Sequence, residues 1–349
     1  MHGITVRSPG RGSPRTRAGR SAVALLLAAA LAACGGGDGE DGGGGGSAGA
    51  GEGGGELTKL DVGILPIVTL APLAMGVDKG LCEEEGLDVE LHLAQGGSAL
   101  VPAVASGQYG FGFSNNLSLM VARGQGLPLR IVAAASRETR PPDRFVEALM
   151  VGPDSDVQSP ADLANSTIAV NTLNSLQQAA VQATLEDAGV DLSTVQFVEI
   201  PLPDIPVALQ EGRVDAGHTG EPFVTVAEQQ GSRVIADSYL AIEDGLDISS
   251  WFTTDTFLEQ SPDVVERFIA CMDAARTYAA DNPDEIRSFL PGFMNVDPEL
   301  AQEVQLGEWP EGLPKESSLQ GIYDAAVKYG MLEEEALPDP TELLYEPEE

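Results

Sequence analysis

From residue 56 onward the chain repeats one pattern: a short apolar or alternating run, then a longer stretch with apolar residues three and four apart, as strands that feed helices do. Residues 60–65 predict a strand, 71–85 a helix, and 87–93, Leu-Asp-Val-Glu-Leu-His-Leu, a strand with one buried and one wet face. Gly96-Gly97-Ser98 opens a helix to residue 106, 109–113 is a strand, Ser114-Asn115-Asn116 starts the next helix, and 129–134 is a strand. A second series predicts strands at 148–151, 167–170, 195–200, 216–219 and 233–236, with helices at 175–188, 204–211 and 222–230. Beyond Trp251 the pattern turns mostly helical, at 262–280, 284–290, 298–306 and 317–329. Strand, helix and strand in succession need crossover connections and hence a mainly parallel sheet. No internal repeat is visible.

The first 56 residues follow a different logic. Residues 1–33 hold five arginines and no acid, and end in an apolar run from 22 to 33, the pattern of a secretory signal. That run is shorter than the ~20 residues a membrane-spanning helix needs. It closes on Leu31-Ala32-Ala33-Cys34, which resembles the lipobox of bacterial lipoproteins, so Cys34 is the expected lipidation site and new N-terminus. Residues 35–55 contain 14 glycines, with no apolar side chain larger than alanine, so 34–56 reads as a flexible tether.

Composition narrows the function. With 349 residues, 43% hydrophobic, the chain can build about two structural units. Its net charge of −35 argues against a nucleic-acid partner, whose phosphates it would repel, and against anionic membrane surfaces other than through a lipid anchor. Loss of the leader removes five of 19 basic residues, leaving 14 against 54 acids. Three cysteines and three histidines are too few for a disulfide framework or a zinc-finger-like site, and neither His92 nor His218 has a neighbouring motif for a metal or a catalytic triad. Cys82 and Cys271 each sit in an apolar setting, where separate buried thiols are expected rather than a bridge.

Four segments of the first half carry a family pattern: Gly80-Leu81-Cys82-Glu83-Glu84-Glu85-Gly86-Leu87-Asp88-Val89-Glu90-Leu91, Gly96-Gly97-Ser98, Ala105-Ser106-Gly107-Gln108-Tyr109-Gly110-Phe111-Gly112, and Ala122-Arg123-Gly124-Gln125-Gly126-Leu127-Pro128-Leu129. The second half continues it in order with Ser159-Pro160-Ala161-Asp162-Leu163, Thr167-Ile168-Ala169-Val170-Asn171, Ala208-Leu209-Gln210-Glu211-Gly212-Arg213-Val214-Asp215-Ala216 and Glu221-Pro222-Phe223. Together they resemble the nitrate/sulfonate/taurine and thiamine-precursor group of ABC-transporter solute-binding proteins. Cys82 departs from that pattern, which usually has an aromatic there. The resemblance implies an α/β, periplasmic-binding-protein-like (type II) fold: two lobes, each a mainly parallel sheet flanked by helices, joined by two crossover strands. It places lobe 1 at 57–150 and 250–349 and lobe 2 at 151–249. It implies a monomer that takes a small-molecule ligand between the lobes and delivers it to ABC permease subunits with their cytoplasmic ATPase, with no catalytic residue, metal or cofactor. An enzyme on the same fold and a sensory ligand-binding module are the alternatives.

Ligands of such sheets sit beyond the carboxyl ends of the strands, against helix N-termini. That rule selects Pro66 and Thr69, Gly97 and Ser98, Ser114, Asn115 and Asn116, Asn171, Thr172 and Ser175, and Glu221. Each has a plainer role open to it: helix capping for the serines, tight turns for the glycines, a first-turn acid for Glu221. Trp251, near the second crossover, could wall the cleft or pack in the core. These segments hold no lysine or arginine and one carboxylate, which favours a polar organic molecule with N–H or ammonium donors, such as an aminosulfonate or nitrogen heterocycle, over nitrate or bicarbonate. The cluster Arg123, Arg130, Arg137, Arg140 and Arg144 would change this if Arg137 or Arg140 turned into the cleft.

Overall fold

The computed structural model describes residues 56–94, 96–138, 145–337 and 339–346, the side chain of Ser98 excepted. The leader, Cys34 and the tether up to residue 55 lie outside the described residues, as do Arg140 and Arg144. In chain order the strands are β1 (Thr58–Ile64), β2 (Leu87–Leu93), β3 (Phe111–Asn115), β4 (Leu129–Arg137), β5 (Glu147–Val151), β6 (Thr167–Val170), β7 (Gln196–Glu199), β8 (Ala216–Gly220), β9 (Arg233–Ala236) and β10 (Asp247–Thr254). The helices are α1 (Ala71–Asp78), α2 (Leu81–Glu84), α3 (Gly97–Ala105), α4 (Asn116–Gly124), α5 (Leu176–Asp187), α6 (Ile205–Gln210), α7 (Phe223–Gln229), α8 (Asp255–Gln260), α9 (Pro262–Asp281), α10 (Pro283–Met294), α11 (Pro298–Glu303) and α12 (Glu316–Lys328).

Among the described residues the strands form two five-stranded sheets, ordered β2-β1-β3-β10-β4 and β7-β6-β8-β5-β9. In each, four strands run one way and one runs against them: β10 is antiparallel to β3 and β4, and β5 is antiparallel to β8 and β9. The reversed strand is in both cases the one through which the chain enters the sheet from the other lobe. The chain leaves the first sheet at Arg137 and enters the second at Glu147, and it leaves the second at Ala236 and re-enters the first at Asp247.

Two elements differ from the sequence reading for identifiable reasons. The helix expected over 71–85 is broken into α1 and α2, because Gly80 turns the chain at a φ of 80°, which glycine adopts without the Cβ clash of other residues. The segment around Trp251 is a strand, β10, every residue of which is buried. Half of its residues are Ser or Thr, so neither an apolar run nor an alternation marks it. It is central, with backbone partners on both sides, and two of its buried polar side chains find partners distant in sequence: Thr253 donates to the Gly110 carbonyl at 2.7 Å and Ser249 meets Ser136 on β4.

Packing of the first lobe centres on Phe111, Phe252 and Phe268, with Phe111 and Phe268 stacked at 4.0 Å between ring centroids. Full burial of such side chains contributes roughly 1.5–3 kcal/mol each. Cys82 on α2 and Cys271 on α9 are joined in a disulfide, with their Cα atoms 4.8 Å apart. This corrects the expectation of separate thiols: the apolar setting was read rightly, but α2 packs on α9 so that the two buried residues face each other. No helix among the described residues is long and apolar enough to cross a membrane.

Candidate functional site

Between the two sheets lies a cavity of about 70 Å³, at the carboxyl ends of β1, β3 and β4 on one side and of β6 and β8 on the other. Pockets for drug-sized molecules are roughly 300–1,000 Å³, so this space suits an occupant of few heavy atoms. From the first lobe Thr69, Gly97, Asn115, Ser136 and Ser249 line it; from the second Asn171, Thr172, Ser175, Gln177 and Glu221 do. Seven of the twelve ligand candidates read from sequence thus meet around one space.

Each is positioned by its element. Asn115 caps α4, its Oδ1 accepting the Ser118 amide at 2.9 Å, and the same oxygen takes the Leu176 amide of α5 at 3.4 Å, across the cleft. Gly97 begins α3 where a Cβ would stand 3.0 Å from Ser114 Cα, so a larger residue would crowd this helix end against β3. Ser175 occupies the cap position of α5, but its hydroxyl donates to the Thr172 carbonyl at 2.6 Å instead of capping. The amide of Asn171 is held by Gln177 Oε1 at 2.9 Å. Thr69 presents its carbonyl to Trp309 Nε1 at 3.1 Å.

Glu221 is buried just before α7, on the cavity wall. Its carboxylate accepts the Thr225 amide at 3.1 Å and hydroxyl at 2.8 Å in the first turn of α7, and it also lines the cavity. A third bond comes from the Gln305 amide at 2.9 Å, beyond α11 in the first lobe, so Glu221 ties the lobes together. Burial pushes its carboxyl up to about 7, against the pull of these hydrogen bonds.

The other candidates do not line the cavity. Trp251 is core, edge-on to Phe113 and Phe268 at 6.1 and 5.9 Å between centroids. Asn116 is fully buried and donates to the Asp247 carbonyl at 2.8 Å, fastening α4 to β10. Ser114 is buried beneath Gly97, and Pro66 is half-buried outside the lining. Ser98 opens α3 but its side chain lies outside the described residues. Of the arginines, Arg123 and Arg130 both pair with Asp255, at 3.0 and 2.6 Å, and Arg137 is taken by Asp247 at 2.7 Å.

Sequence reading missed Glu147, Tyr239, Ser136 and Ser249. Glu147 starts β5, on the cavity wall, and accepts the Tyr239 hydroxyl at 2.8 Å. The protein around it raises its carboxyl, and burial with the nearby acids raises the Tyr239 phenol. An acid at the head of the otherwise apolar run Glu147–Val151 was the available signal. Among the described residues the lining therefore carries two carboxyl groups and no lysine or arginine.

The raised carboxyl of Glu221 predicts a pH effect. Its folded value near 7 exceeds the ordinary 4.5, so between these values the folded chain holds a proton that the unfolded chain has released. The stability this contributes is complete below pH 4.5 and is lost as pH rises through 7, by a few kcal/mol at most. Urea midpoints from pH 4.5 to 8 should fall less steeply for Glu221→Gln than for the wild type; parallel profiles would contradict it.

Residues 68–286 match the model of the family described as "NMT1/THI5 like", and the chain belongs to that family. It is 30% identical over 211 residues to the taurine-binding periplasmic protein of Escherichia coli (strain K12), covering 59% of this chain and 62% of that protein. It is 24% identical over 242 residues to the formylaminopyrimidine-binding protein of Halalkalibacterium halodurans, covering 67% and 69%. This chain thus spans just under two thirds of the taurine-binding relative. Among solved structures, the periplasmic aliphatic sulphonate binding protein of Escherichia coli superposes with a TM-score of 0.66 at 18% identity, over 83% of this chain and 93% of the other. The periplasmic nitrate-binding protein of Synechocystis PCC 6803 gives 0.66 at 13% identity, over 84% and 90%. The fold is that of the type II periplasmic binding proteins.

Proposed function

We propose that this member of the NMT1/THI5-like family is the extracytoplasmic solute-binding component of an ABC importer, and that it closes its lobes over one small zwitterion of the aminosulfonate class. The observation that carries this reading is the polarity of the cavity. On the first-lobe side stand the starts of α3 and α4, with Asn115, Ser136 and Ser249; helix N-termini and hydroxyls of this kind attract an anionic head without a basic residue. On the second-lobe side stand Glu147 and Glu221, acceptors for an ammonium. The small volume favours a compact molecule over a substituted pyrimidine. Nitrate has no group for the carboxylates. The taurine-binding relative supports the same class.

Lipidation of Cys34 would tether the binding domain to the outer face of the cell membrane by residues 35–55, and the Cys82–Cys271 disulfide suits an oxidising compartment. Intact mass of the membrane-extracted protein should show loss of 1–33 and a lipid increment.

Calorimetry of the full chain with taurine, alkanesulfonates, aminopyrimidines and nitrate tests the ligand class. We expect taurine at one site per chain, with affinity reduced at least about tenfold by Glu147→Gln, the loss of one charge-assisted hydrogen bond. Binding of nitrate but not taurine, or unchanged taurine affinity in Glu147→Gln and Glu221→Gln, would sink the assignment. Consumption of a bound solute would reject binding without turnover.

A further inference from the structure

We propose that Asp61, Glu90 and His92 form a surface site for a divalent transition-metal ion, Zn²⁺ by the chemistry of its donors. The local sequence shows no metal motif, because the donors come from two strands; the register supplies what spacing does not. β1 and β2 run parallel with Asp61 opposite Glu90 and Gly63 opposite His92, so Asp61, Glu90 and His92 project from the same face at the sheet edge. His92 Nε2 lies 2.6 Å from Asp61 Oδ1, and one donor atom of each of the three residues lies within 4.8 Å of the others.

The imidazole is held in place. Its ring stacks on Tyr109 at 4.8 Å between centroids and 16° between planes. Tyr109 can lie there because position 63 is glycine: a Cβ would come within 2.9 Å of the Tyr109 ring. Glu90 and Asp61 are exposed and free to adjust, whereas the histidine is one-quarter exposed and fixed.

A tetrahedral ion ~2.0–2.2 Å from each donor sets donor pairs about 3.3–3.6 Å apart, so Asp61 has to draw back from His92 and the carboxylates have to move by about 1 Å, which their exposed side chains allow. The ion takes the place of the proton shared by His92 and Asp61. One imidazole and two carboxylates favour Zn²⁺, Ni²⁺ or Cu²⁺ over Ca²⁺ and Mg²⁺, which prefer oxygen alone. Two negative charges, in a chain of net −35, add attraction for a cation. Three protein donors leave positions for water or for a donor from a partner molecule.

The test is calorimetric titration of the chelator-stripped full chain with ZnCl₂, then CaCl₂, for the wild type, His92→Gln and Glu90→Gln. We expect one equivalent of Zn²⁺ to be lost in His92→Gln and to bind at least about tenfold more weakly in Glu90→Gln, no smaller an effect than an outer-shell change produces. Any Zn²⁺ taken elsewhere on the chain is untouched by either substitution and remains as a separate equivalent. Both variants alter surface side chains, and unchanged circular dichroism verifies their fold. Isotherms that match the wild type in both variants overturn the site, as does preference for Ca²⁺ over Zn²⁺ or absence of any Zn²⁺ uptake.

Discussion

Replacing Cys82 and Cys271 together by alanine is expected to lower stability by about 4 kcal/mol. The bridge joins residues 189 apart in sequence, so in the unfolded chain it closes a loop that spans most of the folded domain. Loop-closure entropy grows only slowly with length, yet a loop of ~100 residues already corresponds to about 4.7 kcal/mol, and removal of native bridges typically costs ~2–5 kcal/mol. Alanine is the right replacement, because both positions are buried in the first-lobe core and a serine hydroxyl would need a partner there. Urea unfolding should show a lower midpoint and a steeper dependence on denaturant, since the open chain exposes more surface than the looped one. Solute affinity should not change, because α2 and α9 both belong to the first lobe and neither lines the cavity. A loss below about 1 kcal/mol, or two alkylatable thiols at these positions in the unreduced, unfolded chain, would reject the bridge.

That bridge marks the limit of what local sequence can say. The strands at Thr167–Val170 and Arg233–Ala236 were legible to the residue, because each is a short apolar run between turn signals. Asn115, Asn171 and Glu221 were legible as site candidates because the ends of parallel strands are where helix N-termini gather. Trp251 and Asn116 failed for one shared reason. Both follow from β10, which inserts between β3 and β4 and draws Trp251 into the aromatic core and the Asn116 amide to the Asp247 carbonyl. A central strand with Ser249, Ser250, Thr253 and Thr254 among its eight residues carries no hydrophobic period, and the partners of Ser249 and Thr253, Ser136 and the Gly110 carbonyl, lie far away in sequence. Glu147 and Tyr239 were hidden similarly: their hydrogen bond joins residues 92 apart, one at each crossover.

Arg137→Ala is expected to destabilise the fold by roughly 3 kcal/mol, far more than the loss of an exposed ion pair. Arg137 ends β4 and Asp247 begins β10, and the antiparallel register sets them opposite each other where the chain leaves the first lobe and where it returns. The Asp247 carboxylate has no solvent exposure. It accepts Arg137 Nε at 2.7 Å, Arg137 Nη2 at 3.3 Å and the Lys315 amide at 2.7 Å. Without the guanidinium a buried negative charge keeps one backbone N–H as its partner, and desolvation is no longer offset. Arg123→Ala is the control. Its partner Asp255 is one-third exposed and retains Arg130, so the expected loss is under about 1 kcal/mol. If the penalty comes from stranded charge, neutralising the acid should relieve it: Asp247→Asn added to Arg137→Ala should lose less than the sum of the two single changes, by about 1 kcal/mol or more. Urea midpoints of the four chains measure this directly. An Arg137→Ala variant no weaker than Arg123→Ala, or strict additivity with Asp247→Asn, would show that the two crossovers are not fastened by this pair.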